Sequence, residues 1–139
     1  MQTPTDSTPT FEATLPWPPT VNTYWRHRVI GKLATVYVSQ EGQAYRKAVN
    51  LCLMEHGIKT YAIEGDLQVE IEVFPPDRRK RDLDNLLKSL LDSLTHAQVW
   101  KDDNQISDLR IFRNKQIAGI VKVRVYELER PTSDFSKSM

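Results

Sequence analysis

Apolar and polar residues alternate with a period of two in several stretches of the chain. Phe11, Ala13 and Leu15 alternate with Glu12 and Thr14, Leu67, Val69, Ile71 and Val73 with Gln68, Glu70 and Glu72, and Val121, Val123 and Val125 with Lys122 and Arg124. That period belongs to strands with one buried and one wet face. It predicts strands over about 11–15, 67–73 and 119–128, and a further strand is read near Ile106 to Arg113. Pro16-Trp17-Pro18-Pro19 and Pro75-Pro76 stop the first two, because proline cannot donate to a ladder. Two stretches carry the helical period instead. Ser39 can cap a helix in which Ala44, Tyr45, Ala48, Leu51 and Cys52 recur until Gly57 offers a stop. Leu83, Leu87, Leu90, Leu91 and Leu94 make one apolar stripe on a second helix from about Asp84 to Ala97. The segment from Asn22 to Val38 reads as a loop or an irregular hairpin about Gly31-Lys32. The order β-α-β-α-β-β predicts an α/β (α+β) fold, a small mixed sheet of about four strands covered by two helices.

Composition bounds this picture. A chain of 139 residues, 27% charged and 40% apolar, fits one domain that buries roughly two-thirds of its unfolded surface without metal or disulfide. Polar, Pro/Thr-rich ends read as disordered tails at 1–10 and 130–139, leaving 11–129 as the folded domain. Cys52 is the single cysteine, so an internal disulfide and a cysteine-built zinc site are excluded, and a reducing cytoplasm is the expected setting. No apolar run approaches the roughly 20 residues of a membrane span, and Met1 to Thr10 lacks the apolar stretch of a signal peptide.

The net charge of +1 argues at first against a nucleic-acid partner, but the total conceals segregation. Arg26, Arg28, Lys32, Arg46 and Lys47 face only Glu41 within residues 22–50, whereas Glu55, Glu64, Asp66, Glu70 and Glu72 face only Lys59 within 55–74. Charge sorted in this way can fold into one basic and one acidic face, and a basic face attracts a polyanion.

The chemically informative stretch is Arg78-Arg79-Lys80-Arg81-Asp82-Leu83-Asp84-Asn85, with Lys88 beyond it. A row of cations at a helix N-terminus opposes the helix dipole, a conflict that an external anion relieves. Asp82 and Asp84 lie at the irregular helix entry, Lys88 stands one turn past Asp84, and Asp102-Asp103 follows the helix in a short link. Carboxylates from two loops, able to swing together, suit a hard cation such as Mg²⁺, which takes oxygen ligands and keeps waters. With a cation to offset phosphate charge, for which Lys88 is the candidate, these are the parts of metal-assisted phosphodiester hydrolysis. Other readings stand beside this one. The Asp82/Asp84 element is equally a helix cap, Asp102-Asp103-Asn104 a solvated turn, and Arg78 to Arg81 a solvated face or a nucleic-acid patch. Trp17 and Trp25 are stacking surfaces or core anchors. Asp92 reads as surface. His27, His56 and His96 show no ligand spacing. No GxxxxGK[ST], HExxH, GxSxG or paired CxxC is present, so nucleotide hydrolysis, zinc proteolysis and serine hydrolysis have no support.

Leu15-Pro16-Trp17-Pro18-Pro19, Asn22 with Tyr24, Val38-Ser39 with Glu41 to Arg46, Pro76 to Arg79, Arg81 to Asn85 with Lys88, and Trp100 with Asp102-Asp103, in this order, resemble the RusA family of Holliday junction resolvases. The resemblance covers nearly the whole folded part. It implies a homodimeric endonuclease that recognises four-way DNA junctions by structure and makes paired, symmetric cuts with Mg²⁺, for which Mn²⁺ substitutes. It further implies metal-binding carboxylates at Asp82, Asp84 and Asp103, a catalytic lysine at Lys88, no nucleotide cofactor and no membrane, and a bacterial, phage or prophage setting. Arg78, Arg79, Lys80, Arg81, Arg26, Arg28 and Lys32 are the candidate DNA contacts. The segment between Tyr24 and Val38 is longer than in the best-known member of the family, and the tails are extended. A nuclease acting on flaps, forks or RNA, and a non-catalytic DNA-binding module whose acids are only caps, remain as alternatives.

Overall fold

The computed structural model describes residues 8–128. The expected tails lie outside that span except for residues 8–10, where Thr10 already donates its backbone N–H to Val125 at 2.8 Å. The elements are β1 (Phe11–Pro16), α1 (Val21–Tyr24), β2 (Trp25–Ile30), β3 (Leu33–Val38), α2 (Gln40–Glu55), β4 (Leu67–Phe74), α3 (Asp84–His96), a 3-10 turn (Asp103–Gln105), β5 (Ile106–Arg113) and β6 (Ile120–Glu127). The four-stranded mixed sheet and its two long helices follow the alternation read above. Residues 22–38, read as a loop or an irregular hairpin about Gly31-Lys32, form the end of the short helix α1 and a hairpin with that turn, but a regular antiparallel one, β2–β3, that pairs with no other strand among the described residues.

The sheet order is β1-β6-β4-β5, antiparallel except for the β4–β5 pair, which is parallel. One face presents Ala13 and Leu15, Val121, Val123 and Val125, and Val69, Ile71 and Val73, all buried against Tyr45, Val49 and Leu53 of α2 and Leu90 and Leu94 of α3. The other face is polar. There Arg124 reaches Glu12, Glu70 and Glu72 at 3.2, 3.0 and 3.1 Å, so two of the acids of residues 55–74 lie on the side away from the helices.

Both helices bury a face somewhat rotated from the one read in the sequence. In α2 the buried line is Gly42, Tyr45, Val49 and Leu53, while Leu51 is exposed. The cause is a close approach: a Cβ on Gly42 would lie 2.6 Å from the carbonyl oxygen of Tyr24, so only glycine lets α2 seat on α1. Ser39 caps as expected, its Oγ accepting from the Gly42 N–H at 3.0 Å. In α3 the fully buried line is Leu86, Ser89, Leu90, Ser93 and Leu94, with Leu83, Leu87 and Leu91 only partly covered. Ser89 and Ser93 are buried because α1 and the chain before it pack there, Ser89 Oγ donating to the Pro19 carbonyl at 2.5 Å.

Leu90→Ala is expected to lower unfolding free energy by about 2–5 kcal/mol in urea titration, and Gly42→Ala by about 1–3 kcal/mol through overpacking. A Gly42→Ala protein as stable as the parent would show that the approach to Tyr24 does not constrain the seating of α2.

Candidate active site

Pro75-Pro76 ends β4, and the chain then turns around Asp77. Arg81 donates to both Asp77 oxygens at 2.7 and 2.9 Å, and Arg79 adds its backbone N–H at 2.9 Å. These bonds hold the Asp77 carboxyl well below the usual carboxylate range, Arg81 contributing most. The row Arg78 to Arg81 is therefore not uniform. Arg81 is committed to this clamp and lies 5.9 Å over the Trp17 ring, and Arg79 is partly engaged by Asp77. Arg78 and Lys80 are exposed, with no salt bridge among the described residues.

The clamp delivers Asp82 and Asp84 to the head of α3, both exposed. Neither caps the helix. The N-cap position is Leu83, itself in helical conformation, and no side chain caps the first turn. Among the described residues neither carboxylate is in a salt bridge or accepts a side-chain hydrogen bond, so the capping interpretation fails at the residues for which it was raised. Asp82 borders a cleft with Trp17, Lys80, Arg81 and Arg113. Arg113, the last residue of β5, was not singled out in the sequence. It arrives because the parallel pairing sets it beside Val73 at the end of β4, and it donates to the Arg81 carbonyl at 2.7 Å.

Lys88, exposed and one turn beyond Asp84, has its Nζ 5.5 Å from the centre of the Trp25 ring. One more turn along stands Asp92, which is not the idle surface residue expected. It accepts from the Tyr24 hydroxyl at 2.5 Å and from Arg46 at 2.7 Å, while Arg46 Nε also donates to the Tyr24 oxygen at 2.7 Å. Tyr24 is wholly buried, and burial, followed by the Asp92 bond, raises its phenol pKa above the ordinary value. This knot joins α1, α2 and α3 at the root of the hairpin. The spacing of Asp84, Lys88 and Asp92 was visible in the sequence, but its partners Tyr24 and Arg46 were not.

The second acidic pair divides its labour. Asp102 is a structural cap, accepting from the Asn104 N–H at 2.9 Å while the Gln105 side chain accepts from the N–H groups of Lys101 and Asp102. Asp103 lies with its carboxyl against that of Asp102. Partial burial, then Asp102 and Asp92 nearby, push its carboxyl above the ordinary value. Its acidic neighbours are thus at the far end of α3 from Asp82 and Asp84, since Asp84 to Asp92 spans about 12 Å of helix axis. Among the described residues no three acid, histidine or cysteine side chains are grouped so as to hold a metal ion, so the closing of Asp82, Asp84 and Asp103 of one chain about one ion is not seen. The donor chemistry nevertheless fits Mg²⁺. Asp82 and Asp84 offer only oxygen, two residues apart and unengaged, and Mg²⁺ often binds through one or two carboxylates plus phosphate.

Of the hairpin cations, Arg26 lies 3.8 Å from Glu41 and Arg28 sits 4.8 Å over the Tyr37 ring. Lys32 occupies the exposed tip. Trp17 and Trp25 are both partly exposed, each carrying a cation over its ring.

Comparison with known proteins gives a consistent result. The sequence model of the family described as "Endodeoxyribonuclease RusA" matches residues 16–126. The chain is 38% identical over 120 residues to the "Crossover junction endodeoxyribonuclease rusA" of Enterobacteria phage HK97, covering 86% of this chain and 96% of that protein. It is 41% identical over 104 residues to the protein called "Crossover junction endodeoxyribonuclease RusA" in Escherichia coli strain K12, and 40% identical over the same length to that of Enterobacteria phage 82, in each case covering 75% of this chain and 82% of the relative.

Asp92→Ala strands the Arg46 guanidinium and the Tyr24 hydroxyl. Because Arg46 and Asp92 are 24% and 35% exposed, the expected loss is about 1–2 kcal/mol of unfolding free energy, measured in urea. Tyr24→Phe combined with Asp92→Ala should then cost less than the sum of the two separate changes.

Proposed function

The chain belongs to the RusA family of endodeoxyribonucleases, and on that premise we propose that it resolves four-way (Holliday) DNA junctions by paired, symmetric, Mg²⁺-dependent nicks. One observation supports this above the others. Asp82 and Asp84 stand at the head of a helix they do not cap, unengaged among the described residues, beside a cationic cleft, with Lys88 one turn on. Acids serving a non-catalytic module as caps would be hydrogen-bonded to the first turn of α3.

Asp82 and Asp84 would hold the cation, with Asp103 as a further ligand. When bound, Mg²⁺ supplies a water of lowered pKa and polarises the phosphoryl oxygen, and Mn²⁺, with similar ligand preference, substitutes. Arg78, Lys80 and Arg113 grip the flanking phosphates, and their charges attract the backbone irrespective of base sequence. Lys88 offsets charge that develops on the phosphoryl group or the leaving oxygen.

The separation of Asp103 from the acid pair calls for a second copy. A homodimer in which the two α3 helices lie antiparallel across a two-fold axis sets the head of one helix beside the tail of the other, so that Asp82 and Asp84 meet Asp103 of the partner subunit. The partly covered row Leu83, Leu87 and Leu91 and the exposed Leu109 of β5 offer apolar surface for such a pairing. The same two-fold symmetry matches that of the junction and supplies two sites for two equivalent strands. The relatives come from bacteria and phages, and no helix among the described residues is long and apolar enough to cross a membrane. A bacterial cytoplasm, with a bacterial or prophage gene, is the setting we assign.

Asp82→Asn, Asp84→Asn and Asp103→Asn should each abolish Mg²⁺-dependent cutting of a labelled synthetic junction while retaining binding. Normal cutting by any of them removes that residue from the site. Mixing differently tagged Asp82→Asn and Asp103→Asn subunits should restore single nicks in the isolated heterodimer, because one site then has all its acids. A dead heterodimer would return the site to a single chain. Lys88→Ala should depress the single-turnover rate by about 10²-fold or more with junction affinity nearly unchanged. A linear duplex of the same sequence, cut as fast as the junction, would point to a less selective nuclease.

A further inference from the structure

The β2–β3 hairpin stands apart from the sheet, and beyond the Arg28–Tyr37 stack its apolar tip is bare among the described residues. Its arms of six residues each span about 20 Å, closed by Gly31-Lys32 with Gly31 at φ 60°, the conformation that a tight hairpin turn reserves for glycine. Val29, Ile30, Leu33 and Val36 are 70, 62, 63 and 58% exposed. A two-stranded ribbon is marginal in water by itself, and a cluster of bare β-branched and leucine side chains at its end signals a surface that something covers.

The surroundings of that tip select the occupant. Between Trp25 and Val38 the ribbon carries Arg26, Arg28 and Lys32 and no acid, a charge pattern that suits a polyanion and opposes stacking against a second basic ribbon. At its root, Val21, Asn22, Trp25, His27, Val36 and Lys88 line one cleft. The register pairs His27 with Val36 and Val29 with Ala34, so these residues continue from that cleft along one face toward the tip. A strand whose phosphate meets Lys88 is therefore led along this face to Val29, at the tip where Ile30 and Leu33 cover the opposite face beyond Arg26 and Arg28. Resting on the reading of the site as a junction-cutting nuclease, we propose that the hairpin is a wedge. Its apolar tip, Val29, Ile30 and Leu33, inserts among the bases at the branch point of a four-way DNA junction, while Arg26, Arg28 and Lys32 hold the flanking phosphates. Apolar side chains that enter a base stack unstack and kink it, at an energy that is lowest where stacking is already interrupted. The wedge thus favours branched over linear DNA.

The test uses the full chain and a synthetic junction carrying 2-aminopurine beside the branch point, without divalent metal so that no strand is cut. The parent protein should raise the fluorescence of the probe. A Val29→Ser/Ile30→Ser/Leu33→Ser variant, with thermal midpoint and sedimentation unchanged, should abolish that rise and weaken junction affinity about tenfold while binding linear duplex as before. Arg26→Gln/Arg28→Gln/Lys32→Gln should instead weaken junction and duplex alike and flatten the salt dependence. An unchanged fluorescence rise with the serine variant on a junction that is still bound overturns the wedge alone. So does a serine variant that sediments as a smaller species, which would assign the tip to contact between copies. A parent protein that neither prefers nor cuts junctions overturns the wedge together with the reading on which it rests.

Discussion

The parallel pairing of β4 with β5 is the constraint from which the site follows. Two neighbouring parallel strands cannot be joined by a tight turn, so the chain must return along the length of the sheet before β5 begins. Helix α3 makes that return. Its head, with Asp82 and Asp84, therefore stands where β4 ends, and its tail leads into the turn that holds Asp103, just before β5. Acids of similar type are placed at opposite ends of one helix by strand direction alone. The same pairing carries Arg113 at the end of β5 up to the Asp82 cleft.

Hydrogen bonding then sorts acids that look alike in the sequence. Asp77 is spent on Arg79 and Arg81, Asp102 on the turn it caps, and Asp92 on Tyr24 and Arg46. Among the described residues Asp82 and Asp84 are left without a salt bridge or side-chain hydrogen bond at an exposed helix start. Arg81, one of four successive cations, is held by Asp77 and lies over the Trp17 ring. The knot at Asp92 fixes the root of the hairpin, so that Trp25 is presented beneath Lys88 and the ribbon extends from the site itself.

Electrostatics at the scale of the molecule follow the same sorting. Glu12, Glu70 and Glu72 gather around Arg124 on the outer face of the sheet, which offsets part of their charge. The cations of the hairpin and of the loop before α3 remain exposed elsewhere, which lets a chain of net charge +1 approach a polyanion.

Alternation and capping are local properties, and they were legible without coordinates. The strands at β1, β4 and β6, the Ser39 cap, the stop at Gly57 and the helix that opens at Asp84 each depend on residues within a few positions of one another. That Asp82, Asp84 and Lys88 stand together at an exposed helix start was legible for the same reason. Tertiary structure decided what depends on partners distant in sequence. Gly42 turned the buried face of α2 toward Tyr24, Pro19 drew Ser89 into the interior, and Tyr24 with Arg46 captured Asp92. The distance between Asp103 and the other acids was also decided there, since strand direction is set by pairing across the sheet, and no spacing along the chain encodes it.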